Sequence, residues 1–428
     1  MQRIPRMLIV LSMLLLVAGH VAALEGYQEP LRVQSGEALI GIYFNGYKAS
    51  PWKSDDAKVG EDLARIRAMG ANALFAVHGP VEAISDDWEA FDREHALAKA
   101  AGLSILPGLE IQAGTELSNE KVAQKYSIAV PKAENRNQEK QNSLVTSDEF
   151  RDALTRYATD YLDRYLEKGA ILRLLDGGKP KPVIALSFET GWLGVSFDKE
   201  TTTRFWKKIY QHYMASGWNI GTLNFNWGTR IPDFAEINPK DPLIFDYDFI
   251  LPDDKRLWRP MSEHAMFRAD LVNEALTVVR DRLLEKYPDL LFAAEIPYPF
   301  ECPARKAIVY KWNAASLPRI VNHADLVLVR TAGDLTGAEQ NALLDLIESG
   351  RQVVLCHSVA KDFGFGRKLR PIFYEHFVPT LTAQFSNGLG FYSWNEVLSH
   401  NFGRDPELVG KAESIAKAYG QIYSATGN

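Results

Sequence analysis

The chain has 428 residues, of which 46% are hydrophobic and 24% are charged, so it contains enough apolar material for a large folded core. Its formal net charge of −6 comes from 48 basic and 54 acidic residues, and neither sign is concentrated in a long run. This composition excludes a disordered or collagen-like chain. It also argues against a nucleic-acid partner, because phosphate binding requires a basic face.

The first 23 residues have the pattern of an export signal. Arg3 and Arg6 precede an almost wholly apolar stretch, Met7–Gly19, and the small residues of Val21–Ala23 suit a signal peptidase. The sequence therefore predicts a signal peptide at 1–23, a folded domain at 24–428, and a periplasmic or secreted protein. An uncleaved anchor is the alternative. No later stretch approaches the roughly 20 apolar residues of a membrane helix, so no integral span is expected after signal cleavage.

Short, apolar, β-prone runs recur along the rest of the chain, and stretches with helical spacing lie between them. The eight runs are Ala38–Phe44, Ala71–Val77, Ser104–Glu110, Pro182–Glu189, Leu290–Glu295, Ala324–Val329, Gln352–His357 and Gly388–Trp394. Near-continuous apolar runs of this length are typical of parallel strands that are covered on both faces. Between the first two runs, Val59, Leu63 and Ile66 share one helical face and Gly70 provides a stop.

Eight strand-then-helix units predict an α/β protein with a single (β/α)8 TIM barrel. About 78 residues separate the starts of runs three and four and about 108 separate runs four and five, so insertions are expected after strands 3 and 4. The stretch Gln124–Thr146 is polar, which predicts a surface excursion rather than a further domain. A doubly wound open sheet is the alternative, but the turn Asn45–Lys48 after run one is not a glycine-rich phosphate loop.

Four carboxylates stand at or near the predicted carboxyl ends of strands: Glu110, Glu189, Glu295 and Glu396. In a β/α barrel this end carries the catalytic groups. A single acid there can serve only as a structural partner for an arginine or an amide. Four that converge are costly to bury unless they are protonated, paired or used. Glycoside hydrolysis uses such a pair, with one carboxyl as acid and the second as nucleophile or base.

Aromatic and polar side chains accompany these carboxylates at the strand ends. Flat rings on such loops suit the apolar faces of sugar rings, although core packing explains any one of them equally well. The predicted sugar-binding residues are Tyr43, Asn45, Glu110, Trp192, Tyr298, His357, Trp394 and Glu396. Carbohydrate is therefore the expected partner.

Two other chemistries have weaker support. His357 and Ser358 suggest an exported carbohydrate esterase, but no GxSxG elbow surrounds Ser358. The only cysteines are Cys302 and Cys356, which form either one disulfide or two separate buried thiols. Because the chain has neither a CxxC pair nor an HExxH motif, we expect no metal site and no cofactor.

A family resemblance lies in the segment after Glu189. The motifs Phe205-Trp206, Gly221–Thr229 and Phe267-Arg268, with His323-Ala324-Asp325 later, are similar to those of glycoside hydrolase family 42 β-galactosidases. The similarity runs from about residue 181 to residue 396 and indicates distant kinship within the retaining (β/α)8 glycosidases of clan A. It implies that Glu189, at the end of strand four, is the catalytic acid/base.

The sequence departs from that clan at two positions. Phe188 replaces the usual Asn before the acid/base, and Cys356-His357-Ser358 stands where the resemblance implies a nucleophilic Glu. Either the second carboxylate lies elsewhere, the mechanism is inverting, or the barrel binds glycans without cutting them. Because strands four and five are neighbours, we predict Glu189 and Glu295 as the catalytic pair. The predicted function is an exported glycoside hydrolase acting on an oligo- or polysaccharide; a catalytically inactive glycan-binding barrel is the main alternative.

Overall fold

The computed structural model describes residues 27–44, 55–85, 87–109, 119–134, 140–188, 195–241, 258–300, 321–331, 337–359, 373–395 and 402–425. The predicted signal peptide lies outside these described residues. So does Cys302, whereas Cys356 is a buried free thiol.

The described residues form eleven strands, most of which coincide with the apolar runs of the sequence. They are β1 (Ile40–Tyr43), β2 (Ala73–Val77), β3 (Ser104–Gly108), β4 (Lys132–Glu134), β5 (Lys140–Ser143), β6 (Arg173–Asp176), β7 (Lys179–Ser187), β8 (Leu291–Phe300), β9 (Leu326–Thr331), β10 (Gln352–Ser358) and β11 (Gly388–Tyr392). Eight of them are parallel, in the order β3-β2-β1-β11-β10-β9-β8-β7. The pairing of Gly108 with Ala185 joins β3 to β7 and closes the ring. The predicted (β/α)8 barrel is therefore confirmed, and each apolar run supplies one barrel strand.

Helices surround this barrel. They are α1 (Asp56–Ala68), α2 (Pro80–Ser85), α3 (Glu89–Ala100), α4 (Glu120–Tyr126), α5 (Asp148–Tyr165), α6 (Lys199–Ala215), α7 (Ile220–Trp227), α8 (Trp258–Lys286), α9 (Gly337–Glu348), α10 (Val378–Phe385) and α11 (Pro406–Ala425). As predicted, α1 buries Val59, Leu63 and Ile66, and Gly70 follows it with φ +101°. Within the described ranges, none of these helices is both long enough and apolar enough to cross a bilayer.

The two predicted insertions are present. The interval between β3 and β7 contains α4, the antiparallel hairpin β4–β5, α5 and β6. The interval between β7 and β8 contains α6, α7, a short 3-10 helix (Phe234–Glu236) and the long helix α8. The polar stretch expected to be a surface excursion contains the hairpin, but Ala133 and Val145 are buried within the main core.

Apolar side chains fill the barrel interior. Leu39, Phe75, Leu106, Leu328 and Val354 belong to this inner cluster. Leu31, Val33, Leu172 and Leu174 join the same cluster from the N-terminal segment and the region around β6. The backbone bridge between Val33 and Leu174 places these two segments side by side across the amino end of the barrel.

A buried polar chain connects the helix layer to the barrel wall behind β2. The Ala170 amide donates to His95 Nδ1 (3.0 Å), so the proton of the neutral ring is on Nε2, which donates to Tyr161 Oη (2.8 Å). Tyr161 then donates to His78 Nδ1 (2.5 Å), and His78 Nε2 lies 3.4 Å from Glu94 Oε1. The backbone amide therefore fixes the direction of every link in the chain.

Gly41 is required in β1 because the Phe75 ring occupies the space where a side chain would lie. A Cβ at Gly41 would be 2.0 Å from Phe75 Cζ, whereas a Cβ at Gly410 in α11 would meet no atom within 4 Å. We predict that Gly41→Ala lowers the free energy of unfolding by about 3 kcal/mol through overpacking. Gly410→Ala, the matched control, should raise it by about 0.5–1 kcal/mol through helix propensity. Urea denaturation measures both, and an unchanged Gly41→Ala variant would contradict the proposed overlap.

The protein should lose stability as the pH falls below about 6.5. Burial lowers the pKa of His95 to about 2, with a further contribution from nearby His78, and burial lowers the pKa of His357 to about 3. The unfolded chain therefore binds protons that these two folded side chains do not. Each histidine lowers the free energy of unfolding by about 1.4 kcal/mol per pH unit below pH 6.5.

In urea denaturation at pH 7, 6 and 5, the free energy of unfolding should change less with pH for His357→Gln than for wild type. The variant of exposed His376, His376→Gln, should keep the wild-type slope. Equal slopes in all three proteins would show that His357 does not drive the acid sensitivity.

Candidate functional site

Four side chains from four strands meet near the carboxyl end of the barrel interior: Tyr43, Glu295, Arg330 and Tyr392, hereafter the interior charged cluster. The Tyr43 hydroxyl donates to Glu295 Oε2 (2.5 Å), and Arg330 Nε lies 2.7 Å from Glu295 Oε1. The Arg330 guanidinium stacks 3.7 Å from the Tyr392 ring centroid. Both oxygens of Glu295 are therefore engaged, one by a hydroxyl and one by a cation.

Strand alternation explains why these residues meet. On β8 the inward positions before Glu295 include Ala293, and on β9 Leu328 precedes Arg330 by two residues. The interior is thus apolar along most of its length and becomes charged only at its carboxyl end. This is the end of a β/α barrel at which active sites are built.

In this cluster Glu295 and Arg330 carry the charges, and the neighbouring Tyr43 and Cys356 are neutral. Burial, followed by the charge of Glu295, raises the pKa of Tyr43 well above its ordinary value. The same two causes, in the same order, raise the pKa of the Cys356 thiol. Both groups are therefore neutral at physiological pH. The cation of Arg330 and the Tyr43 hydrogen bond both favour ionised Glu295.

This ion pair is almost completely removed from water. The Glu295 side chain is 0% exposed and that of Arg330 is 11% exposed. Desolvation of such a pair offsets most of its attraction, so it contributes little net stability, whereas removal of one partner leaves an uncompensated charge. The arrangement can hold a carboxylate in its ionised form at the catalytic end of the barrel.

Of the predicted site residues, the structure brings Tyr43 and Glu295 together and directs the side chains of two others to the outside of the barrel. His357 Nε2 lies 2.7 Å from Thr382 Oγ1 of α10, so this side chain faces the helix layer. Trp394 is 1% exposed, has the Arg65 guanidinium 5.1 Å from its ring centroid, and packs against Phe402. Core packing, the alternative explanation for a strand-end ring, accounts for the position of Trp394.

The placement of His357 also bears on the esterase alternative. His357 and Ser358 are consecutive on β10, so their side chains point to opposite faces of the strand. Ser358 Oγ has no hydrogen-bond partner among the described residues, whereas His357 contacts Thr382. These two residues therefore do not form a serine–histidine pair.

Five other predicted residues, Asn45, Glu110, Glu189, Trp192 and Glu396, lie outside the described residues. Tyr298 belongs to β8, but its side chain is not among those that the structure describes. The assignments of all six stay predictions.

Sequence reasoning missed Arg330. Arg330 is the first charged residue after the apolar run that forms β9, and it stands at the same end of the barrel as the predicted carboxylates. A strand-end cation among strand-end acids is the signal that could have identified it. Which of those acids pairs with Arg330 could not be predicted, because the tertiary structure brings Glu295 to it.

The two insertions are joined to each other beside the segment that follows β7. The Phe197 amide donates to the Glu134 carbonyl (2.8 Å), and the Glu134 amide donates to Ser196 Oγ (3.2 Å). The Glu134 carboxylate pairs with Lys240 (2.7 Å). From α8, Arg268 donates to the carbonyls of residues 195 and 196 and stacks 3.9 Å from the Phe197 ring centroid. Residues 195–197, shortly after predicted Glu189, are therefore held from two sides.

Within the part of the chain that the structure describes, no group of three or more His, Cys, Asp or Glu residues is arranged to hold a metal ion.

No family model and no curated protein matches the sequence. Among solved structures, the chain is similar to a family 42 β-galactosidase of G. stearothermophilus, with a TM-score of 0.61 and 14% identity over 94% of this chain and 59% of that chain. For a β-galactosidase of the haloarchaeon Halorubrum lacusprofundi, the TM-score is 0.58 and the identity 12%, over 89% of this chain and 57% of that chain. For the catalytic domain of a Paenibacillus polymyxa β-amylase, the TM-score is 0.54 and the identity 11%, over 89% of this chain and 98% of that chain.

The chain thus spans less than two thirds of the length of these β-galactosidases, but nearly all of the β-amylase catalytic domain. At these identities the likeness concerns the fold. The sequence resemblance to family 42 is confirmed at that level: the chain is a distant structural relative of these enzymes and shares their (β/α)8 fold.

Proposed function

We propose that the protein is an exported glycoside hydrolase that cleaves an oligo- or polysaccharide by a two-carboxylate mechanism. The observation that carries this proposal is the interior charged cluster, in which Glu295 is paired with Arg330 at the carboxyl end of the barrel. An ionised carboxylate at that position is one of the two groups that the reaction requires. The reaction itself needs no metal or organic cofactor.

Within this proposal Glu189 is the acid and Glu295 the ionised partner. They belong to the runs of the adjacent strands β7 and β8, which pair through Ile184 and Phe292. Because Arg330 and Tyr43 favour the ionised form of Glu295, the proton that the leaving oxygen needs is assigned to Glu189. Glu295 then acts as nucleophile in a retaining mechanism or as base in an inverting one.

The proposed substrate class is supported from two directions. The structural neighbours are by name β-galactosidases and a β-amylase, which act on glycosidic bonds. In this chain both long insertions follow barrel strands, on the side where substrate is bound in β/α barrels. Export is proposed from the sequence pattern of residues 1–23.

One specific observation favours the second candidate, a barrel that binds glycans without cutting them. Glu295 is 0% exposed and both of its oxygens have partners. In this second candidate, the enclosed carboxylate holds Arg330 and Tyr43 in place and takes no part in bond cleavage. The two candidates differ in whether the protein turns a glycoside over.

We predict that Glu189→Gln abolishes hydrolysis of natural glycans while binding is retained. The loss should be at least 10²-fold in kcat, the usual contribution of a positioned general acid, and smaller on dinitrophenyl glycosides, whose leaving group needs no proton. Reducing-end release from a panel of bacterial and plant polysaccharides, together with aryl glycoside kinetics, measures both effects. Glu407→Gln, a change in the surface helix α11, is the matched control and should behave as wild type.

Glu295→Gln run beside these variants assigns the partner carboxylate. If Glu295 is catalytic, its variant should lose turnover on both natural and dinitrophenyl glycosides, because activation of the leaving group does not replace a nucleophile or base. Full activity in Glu189→Gln would remove Glu189 from the mechanism. Glycan binding without release by the wild type would establish the binding barrel instead.

A further inference from the structure

Ser358 is the last residue of β10 and faces the barrel interior. Val354 and Cys356, two and four positions earlier on the same strand, belong to the inner cluster, so alternation directs Ser358 to the same side. Cys356 is in register with Arg330 on β9, and Ser358 is in register with Tyr392 on β11. Ser358 therefore lies one inward position beyond the level of Arg330, towards the carboxyl end of the barrel.

The hydroxyl of Ser358 is buried and unsatisfied among the described residues. The residue is 1% exposed, and its Oγ makes no hydrogen bond within the described part of the chain. By contrast, the buried hydroxyl of Ser386, before the amino end of β11, is satisfied: Ser386 Oγ donates to the carbonyls of Thr382 (2.9 Å) and Gly388 (2.8 Å). A buried hydroxyl without a partner costs about 1–3 kcal/mol, so it calls for a ligand or an ordered water.

We propose that Ser358 Oγ binds a hydroxyl group of the sugar substrate and is a specificity-determining residue; this assignment rests on the proposed function. A serine hydroxyl donates and accepts a hydrogen bond without carrying charge, which matches a sugar hydroxyl. Its neighbour in register, Tyr392, presents a ring already stacked on Arg330, so this part of the interior combines a flat apolar surface with a polar group. A nucleophilic role is disfavoured because His357 faces the opposite side of the strand.

This assignment predicts opposite effects on stability and on recognition. Ser358→Ala removes an unsatisfied hydroxyl, so the melting temperature without sugar should stay equal or rise. Recognition of the substrate should weaken, with kcat/KM falling about tenfold or more, as expected when a buried hydrogen bond to a substrate hydroxyl is lost. The matched control Ser386→Ala removes a satisfied hydroxyl away from the cluster, so it should lower the melting temperature and leave kcat/KM unchanged.

The test uses p-nitrophenyl β-galactoside, β-glucoside, β-mannoside and β-xyloside, and then the monodeoxy analogues of whichever is cleaved fastest. The wild type should discriminate against one analogue, the one that lacks the hydroxyl bound by Ser358. Ser358→Ala should lose that discrimination and treat the parent and this analogue alike. Melting curves of each variant, with and without the corresponding free sugar, give a readout that does not depend on turnover.

The outcomes separate this assignment from the proposed function. A wild type that cleaves glycosides, with a Ser358→Ala variant that keeps wild-type discrimination, overturns the role of Ser358 and leaves the glycosidase intact. A Ser358→Ala variant that is destabilised and binds sugar normally shows that the hydroxyl has a structural partner, such as a buried water. A wild type that neither cleaves nor is stabilised by any of the sugars overturns both.

Discussion

The ion pair between Glu295 and Arg330 is the interaction on which the organisation of the barrel end depends. It joins β8 to β9, engages the Tyr43 hydroxyl of β1, and places a guanidinium on the Tyr392 ring of β11. Four strands, from the first of the barrel to the last, thus contribute to one charged cluster. Such a pair adds little net stability but is costly to break, so its position in an otherwise apolar interior points to function rather than to folding.

The rest of the architecture supplies a rigid frame for this cluster. The apolar interior is closed at the amino end by the segments around Val33 and Leu174, and Gly41 gives the Phe75 ring its space. After β7, hydrogen bonds from Glu134 and Arg268 connect the two insertions at residues 195–197. The chain therefore combines a stiff barrel with additional structure placed after strands, where loop variation sets chemistry in this fold.

Much of the fold could be predicted because each barrel strand is a continuous apolar run. Burial on both faces removes the need for alternating polar residues, and glycines such as Gly70 mark helix ends by their positive φ. The site was predicted less completely. Glu295 and Tyr43 were named from their strand-end positions, but their contact could not be read from residues 252 positions apart. His357 and Trp394 were also named from strand ends, and each packs in the helix-facing layer instead.

The sequence by itself determined the eight-strand barrel, the location of its two insertions and the placement of Tyr43 and Glu295 towards the carboxyl ends of their strands. Those features follow from local periodicity and chain order, which every parallel β/α unit repeats. Only the tertiary structure decided that Arg330 neutralises Glu295, that His357 turns towards Thr382, and that the buried Ser358 hydroxyl has no hydrogen-bond partner among the described residues. The physical reason is that side-chain partners across a barrel depend on strand register and on which face each residue takes, and a shift of one residue reverses that face.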